Sequence, residues 1–117
     1  MCHSAVQSAT EFENMLVHEL VHAFDHCRAA GLDWGDTQQH ACSEVRAANL
    51  SGDCSFGQEL LRGNLGFAGQ QGACVRRRAA LSVAMNPSCP SAAAAKQAVE
   101  AVFDTCMRDT APFDRAP

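Results

Sequence analysis

Apolar residues recur along the chain with the spacing of α-helices, and turn-forming residues separate the periodic segments. No segment shows the alternation of apolar and polar residues that is typical of a half-buried strand. The pattern therefore predicts a mainly α fold of about five helices, in a single domain that covers residues 1–117. The predicted helices cover residues 9–30, 37–48, 56–65, 73–85 and 92–109.

The first predicted helix has one apolar and one polar face. Ser8 and Glu11 form a capping-box pattern at its start, and Gly31 is a typical residue for its end. At 100° per residue, the apolar face collects Leu16, Val17, Leu20, Val21, Phe24 and Cys27. The opposite face collects His18, His22, Asp25 and His26, with Glu19 at its edge. We expect the apolar face to be buried and the histidines to lie outside the core face, along the wall of a site.

The composition is that of one small globular domain. The 117 residues are 47% hydrophobic and 19% charged, and the formal net charge is −4. An acidic chain is poorly suited to nucleic acid, so no nucleic-acid partner is expected. No apolar run is long enough to cross a bilayer. The basic run Arg76–Arg78 is interpreted as a solvated helix face, and a contact to an anionic lipid or an acidic partner is the alternative.

His18, Glu19 and His22 form an H-E-x-x-H motif within the first predicted helix. Residues four apart on a helix project to the same side, so both imidazoles can bind one zinc ion. The glutamate next to the first histidine can take a proton from a water molecule at the metal and pass it to a leaving amine. The motif therefore predicts a metalloendopeptidase with Zn²⁺ as its cofactor.

A catalytic zinc ion needs a third protein ligand, and three residues are candidates. Asp25 is one turn beyond His22 but has a short side chain, so it fits better as a group that orients an imidazole. Glu44 lies on the second predicted helix, at the separation expected when an antiparallel helix returns to the metal. We therefore prefer Glu44 as the third ligand. His40, one turn before it, is the runner-up ligand or a hydrogen-bonding partner of the ligands.

Seven cysteines are spread along the chain without any C-x-x-C pair. Such spacing fits disulfides that join helices, and it indicates an oxidising compartment. Spacing does not determine the connectivity; Cys42–Cys54 and Cys74–Cys106 are candidate pairs. Cys27 lies on the apolar face of the first helix, where burial or a disulfide is expected. The N-terminal residues lack the pattern of a presequence, so either the start is truncated or import relies on the cysteines.

Four stretches carry a resemblance that covers residues 16–115: "HELVHAFDHCR", "HACSEVRAANLSGDCSF", "CVRRRAALSV" and "AVFDTCMRDTAPFDR". They resemble the mitochondrial inner-membrane zinc metalloprotease and ATP synthase assembly family, the "ATP-twenty-three" proteases. The resemblance implies a zincin-like domain with His18 and His22 as ligands and Glu19 as the catalytic residue. It also implies a location in the mitochondrial intermembrane space, peripheral to the inner membrane, and a protein substrate such as the precursor of an ATP synthase F0 subunit.

The resemblance leaves two function classes open. Family members carry a longer segment before the helix with the H-E-x-x-H motif, and strands in that segment border the substrate cleft. This strand region is expected to be largely absent here. A short N-terminus favours a non-proteolytic assembly factor for the F0 sector, whereas the intact motif around Glu19 favours the endopeptidase. A structural zinc site is a weaker alternative, because such sites are usually rich in cysteine. Arg28 and Arg46 are candidates for stabilising an oxyanion.

Overall fold

The computed structural model describes residues 9–28, 31–52, 54 and 70–114. Within this part the chain forms four α-helices and no strand, which confirms the mainly α prediction. The helices are α1 (Ala9–Arg28), α2 (Thr37–Leu50), α3 (Gln70–Ala84) and α4 (Ala92–Arg108). The predicted helix over 56–65 and Ser8 of the predicted capping box lie outside the described residues. Across the described ranges, no helix combines the length and apolar character that a membrane span requires.

Side-chain chemistry sets the starts of α2 and α4. Asp36 caps α2, because its carboxylate accepts hydrogen bonds from the backbone N–H groups of Gln38 and Gln39. Ser91 caps α4 in the same way, as its hydroxyl accepts from the backbone N–H of Ala94. The predicted bounds of the other ends shift slightly: α2 continues to residue 50 rather than 48, and α3 begins at residue 70 rather than 73.

α2 is the central element, because it packs against each of the other three described helices. α3 and α4 also pack against each other, so that α2, α3 and α4 enclose the main apolar core. This core is built from small and β-branched side chains with one aromatic ring. Its larger members are Val45, Val75, Val83, Val99 and Phe103. The three helices therefore form a unit that holds α2 in place.

Two disulfides stabilise this unit, one between two helices and one between α3 and the segment that follows α2. Cys42 of α2 is bonded to Cys106 of α4, and Cys54 is bonded to Cys74 of α3. The candidate pairing of Cys42 with Cys54 and of Cys74 with Cys106 is therefore wrong, although it names the same four residues. The packing of α2 on α4 decides the pairing, since it brings the Cα atoms of Cys42 and Cys106 within 5.5 Å. Cys27 is exposed and free, contrary to the prediction of burial or a disulfide.

Among the described helices, α1 packs only against α2, and it does so through a face of mixed character. Much of the predicted apolar face is exposed; Leu20, for example, is 56% exposed. Val21 and Asp25 are buried instead, and His18 and His22 are half-buried beside them. The prediction of a buried apolar face is therefore wrong in large part, whereas His18 and His22 lie along the wall of a cleft, as expected. The apolar contact between the two helices is small, and its members are Val17, Val21, Ala47 and Leu50. Polar contacts therefore decide which face of α1 turns to α2.

Arg46 of α2 is the largest of the fully buried side chains in the described residues, and it is 1% exposed. Its Nη2 atom lies 2.9 Å from Oδ1 of Asp25 on α1, and its Nε atom donates to the same carboxylate at 3.0 Å. Its Nη1 atom lies 3.1 Å from Oδ1 of Asp109, and the guanidinium also donates to the backbone carbonyls of Asp109 and Ala111. One side chain therefore joins α1, α2 and the segment that follows α4.

Replacing Arg46 by Met is expected to lower the free energy of unfolding by about 3–5 kcal/mol, because the Asp25 carboxylate then stays buried without its main cation. Guanidinium chloride unfolding with the disulfides intact measures this loss. Arg76→Met is the matched control, since Arg76 pairs with Glu100 at the surface and lies over the Phe103 ring. It is expected to cost only about 1 kcal/mol, and equal losses in the two variants would contradict a special role for Arg46.

The disulfides can be checked by labelling. Iodoacetamide applied to the unfolded but unreduced protein is expected to label Cys27 and Cys89 among the described cysteines, because the other four are bonded. Peptide mapping by mass spectrometry identifies both the labelled and the cross-linked peptides. A peptide that joins Cys42 to Cys54 would contradict the bond between Cys42 and Cys106.

Candidate metal centre

A cleft of about 550 Å³ lies where α1, α2 and the end of α3 meet. It brings the whole H-E-x-x-H motif of α1 together with the two candidate ligands of α2. The remaining wall comes from the loop before α2 and from the end of α3 with the turn that follows it. The lining residues are His18, Glu19, His22, Trp34, His40, Glu44, Ser82, Met85, Asn86 and Pro87.

His18, His22 and Glu44 present a set of atoms that can hold a metal ion. The helical spacing of the two histidines places their ring centroids 4.8 Å apart. Nε2 of His18 lies 3.5 Å from Oε2 of Glu44, and Nε2 of His22 lies 3.3 Å from Oε1. The candidate ligand atoms of these three residues all lie within 4.8 Å of one another. Two imidazole nitrogens and one carboxylate oxygen form a ligand set that is known from catalytic zinc sites.

The Glu44 carboxyl is strongly influenced by its surroundings. Burial raises the pKa of this carboxyl, but its close contacts with the imidazoles of His18, His22 and His40 together lower it by more. The net result is a pKa of Glu44 well below the ordinary value of a glutamate. Glu44 is therefore ionised at neutral pH, which is the state that a metal ligand requires. An ionised carboxylate in a buried setting is most favourable with a cation beside it.

A chain of hydrogen bonds fixes the orientation of His22. The Ser43 hydroxyl donates its only proton to Oδ2 of Asp25, at an O–O distance of 2.8 Å. The Oγ atom of Ser43 lies 2.7 Å from Nδ1 of His22, and because its proton is already donated to Asp25, Oγ must accept a hydrogen bond from that nitrogen. With the proton on Nδ1, a neutral His22 carries its lone pair on Nε2, which faces Glu44. Asp25 thus reaches the imidazole through Ser43 and not by direct contact.

The orientation of His22 suits a metal ion at this position. The lone pair on His22 Nε2 and the Glu44 carboxylate repel each other at 3.3 Å unless a proton or a cation lies between them. A metal ion there would satisfy both atoms. The hydrogen bond from Nδ1 to Ser43 would also make Nε2 a stronger ligand. The donor set and its supporting contacts therefore fit zinc.

Glu19 and the two arginines have different surroundings. Glu19 is exposed and lines the cleft, where its carboxylate can reach a bound water molecule or peptide. Arg28 and Arg46, the candidates for stabilising an oxyanion, are not among the residues that line the cleft. Both guanidinium groups instead form ion pairs with Asp25 and Asp109. Their role is to connect segments of the fold.

Three residues of the site were not predicted from the sequence. Trp34 packs edge-on against the rings of His22 and His40 and forms part of the cleft wall. Ser43 and Asn86 hydrogen-bond to these two imidazoles. Ser43 precedes Glu44 in the chain, but consecutive helical residues point about 100° apart, so this position does not predict that both side chains belong to one site. Asn86 lies in the turn after α3 and carries no spacing signal at all.

Comparison with known proteins places this chain in a family. A sequence profile described as the Peptidase M76 family matches residues 1–114. Similar proteins include those named mitochondrial inner membrane protease ATP23 in Mycosarcoma maydis, Malassezia globosa and Kluyveromyces lactis. They are 49%, 45% and 45% identical to the chain, and each alignment covers 97% of it. No solved structure matches the chain.

The alignments cover 52%, 46% and 47% of these three relatives, so the chain spans about half the length of the curated relatives it matches. The profile match over 1–114 and the identities of 45–49% lead to one conclusion: the chain belongs to the Peptidase M76 family.

Proposed function

We propose that this chain is the catalytic part of a zinc-dependent endopeptidase of the mitochondrial intermembrane space, peripheral to the inner membrane. The observation that carries the proposal is the approach of His22 Nε2 to Glu44 Oε1 at 3.3 Å, with His18 beside them in the same cleft. Two disulfides favour an oxidising compartment. The relatives, which are named mitochondrial inner membrane proteases, support both the activity and the membrane.

In this proposal His18, His22 and Glu44 hold the zinc ion, and Glu19 is the general base. Zinc at this position supplies Lewis acidity, which lowers the pKa of a water molecule and polarises the scissile carbonyl. The Glu19 carboxylate accepts the proton of the attacking water and then donates it to the leaving amine. Its exposure on the cleft wall supports this role, because a carboxylate that is free to reach both groups is needed.

The proposed substrate is a protein at the inner membrane, such as the precursor of an ATP synthase F0 subunit. The cleft offers apolar surface next to the proposed zinc ligands. Met85 is 79% exposed at its edge, and the Trp34 ring forms part of its wall. An extended peptide with an apolar side chain near the scissile bond can pack against these two residues.

Zinc binding is expected to depend on the proposed ligands. The purified chain should bind a single Zn²⁺, and His22→Ala or Glu44→Gln should weaken binding by roughly 100-fold or more. The reason is that about 10–16 kcal/mol of zinc affinity is shared by four ligands in structural sites. Elemental analysis and competition with a fluorescent chelator measure stoichiometry and affinity.

The control for zinc binding is His26→Ala. His26 is also on α1 and is exposed, and its Nδ1 accepts a hydrogen bond from Trp34 instead of facing Glu44. This variant should bind zinc as the wild type does. A folded wild-type chain without zinc affinity, or equal losses in His26→Ala and His22→Ala, would contradict the metal centre.

Glu19→Gln is expected to remove peptidase activity without removing zinc. The amide cannot take up a proton, so kcat should fall by roughly 10²–10⁴-fold while zinc affinity stays the same. Cleavage of a quenched-fluorescence peptide library measures the loss, and Glu13→Gln, at an exposed position on the same helix, is the control. Cleavage by Glu19→Gln at the wild-type rate would exclude the proposed base.

The same variant separates the endopeptidase from the assembly factor. The test uses cells that lack their own protein of this family. If the role is purely proteolytic, the Glu19→Gln variant is expected not to restore F0 maturation in these cells. Full restoration of F0 assembly by this variant, together with no cleavage by the wild-type chain, would favour a non-proteolytic assembly factor over the endopeptidase.

A further inference from the structure

Asn86 follows α3 and lines one side of the cleft. Its Oδ1 atom accepts a hydrogen bond from the backbone N–H of Ser88 at 2.8 Å. Its Nδ2 atom donates to the backbone carbonyl of Trp34, also at 2.8 Å. A backbone N–H can only donate and a carbonyl can only accept, so these contacts establish which end of the amide is oxygen and which is nitrogen. Backbone groups alone therefore set the orientation of the Asn86 amide.

The second N–H of the Asn86 amide is directed at His40, whose Nδ1 lies 3.0 Å from Nδ2. Because the amide nitrogen can only donate, His40 Nδ1 must accept and cannot carry a proton. The proton of neutral His40 is therefore on Nε2. That atom lies 3.2 Å from Oε1 of Glu44, to which it donates.

We propose that Asn86 is a positioning residue of the metal centre: it confines the proton of His40 to Nε2, and His40 then holds Glu44 in its ligand orientation. This inference rests on the proposed function, because it treats Glu44 as a zinc ligand. It also distinguishes the two candidate ligands of α2. Nδ1 of His40 is engaged by Asn86 and Nε2 carries the proton, so His40 has no free lone pair for a metal.

His22 and His40 contact the same oxygen of Glu44 in opposite tautomers. Ser43 places the proton of His22 on Nδ1 and leaves its Nε2 as an acceptor. Asn86 places the proton of His40 on Nε2 and makes that atom a donor. One imidazole is thereby prepared to bind a metal ion, and the other to hydrogen-bond the carboxylate. The same chemical group serves two purposes because its neighbours differ.

The tautomer of His40 can be read directly by NMR. Long-range ¹H–¹⁵N spectra of the full chain labelled with ¹⁵N-histidine distinguish protonated from unprotonated ring nitrogens, and His40→Gln identifies the signals. We expect an unprotonated Nδ1 and a protonated Nε2 for His40, both without metal and after addition of Zn²⁺. A protonated Nδ1 of His40 in the wild-type protein would overturn the proposal, regardless of the spectra and zinc affinities of the variants.

Asn86→Asp is the matched substitution, because it keeps the size of the side chain and the acceptor for Ser88 but removes both donors. We expect Nδ1 of His40 to become protonated in this variant, and the affinity for Zn²⁺ to fall by about 10–100-fold, as is typical when a partner of a ligand is lost. An unchanged His40 spectrum and an unchanged zinc affinity would contradict a positioning role.

Asn49→Asp is the control for a general effect of replacing a buried amide. Asn49 accepts from Gln71 and donates to the carbonyl of Met107, away from the cleft. Its substitution should leave the zinc affinity and the His40 spectrum unchanged, and equal losses in both variants would show that Asn86 only supports the fold. A wild-type chain that binds no zinc would contradict the proposed function, while the metal-free spectrum would still decide the tautomer.

Discussion

The buried ion pair between Asp25 and Arg46 is the contact on which the geometry of the site depends. α1 carries the H-E-x-x-H motif, yet both disulfides of the described residues lie outside this helix. The apolar contact of α1 with α2 is small and has only Val21, Ala47 and Leu50 as its buried members. Asp25 is 5% exposed, and a buried carboxylate needs a cation beside it. The pairing of Asp25 with Arg46 therefore strongly favours one rotation of α1 about its axis and one position of α1 along α2.

The same ion pair also determines how the site is arranged. Asp25 accepts from Arg46 through both oxygens and from Ser43 through Oδ2, and Ser43 in turn orients His22. A single carboxylate thus contributes to the docking of α1 and to the direction of a ligand lone pair. Stability and site geometry are coupled, because the same oxygen atoms take part in both.

The candidate centre is shared between two parts of the fold. The unit of α2, α3 and α4, joined by disulfides, presents Glu44 together with His40 and Asn86. α1 presents His18 and His22 from the other side of the cleft. A metal ion bound between them would therefore connect α1 to the rest of the domain. The lowered pKa of Glu44 fits this arrangement, since the carboxylate remains available to a cation at neutral pH.

The mainly helical fold and the H-E-x-x-H motif could both be predicted from the sequence. These features are local: the 3.6-residue period and a four-residue spacing act within one helix, so they need no knowledge of its neighbours. The buried face of α1 and the disulfide connectivity could not be predicted in this way. Both depend on which helix packs against which, and for α1 the ion pair with Arg46 outweighed the apolar periodicity. The roles of Ser43 and Asn86 needed the tertiary structure as well, because a hydrogen bond between distant segments has no periodic signature in the chain.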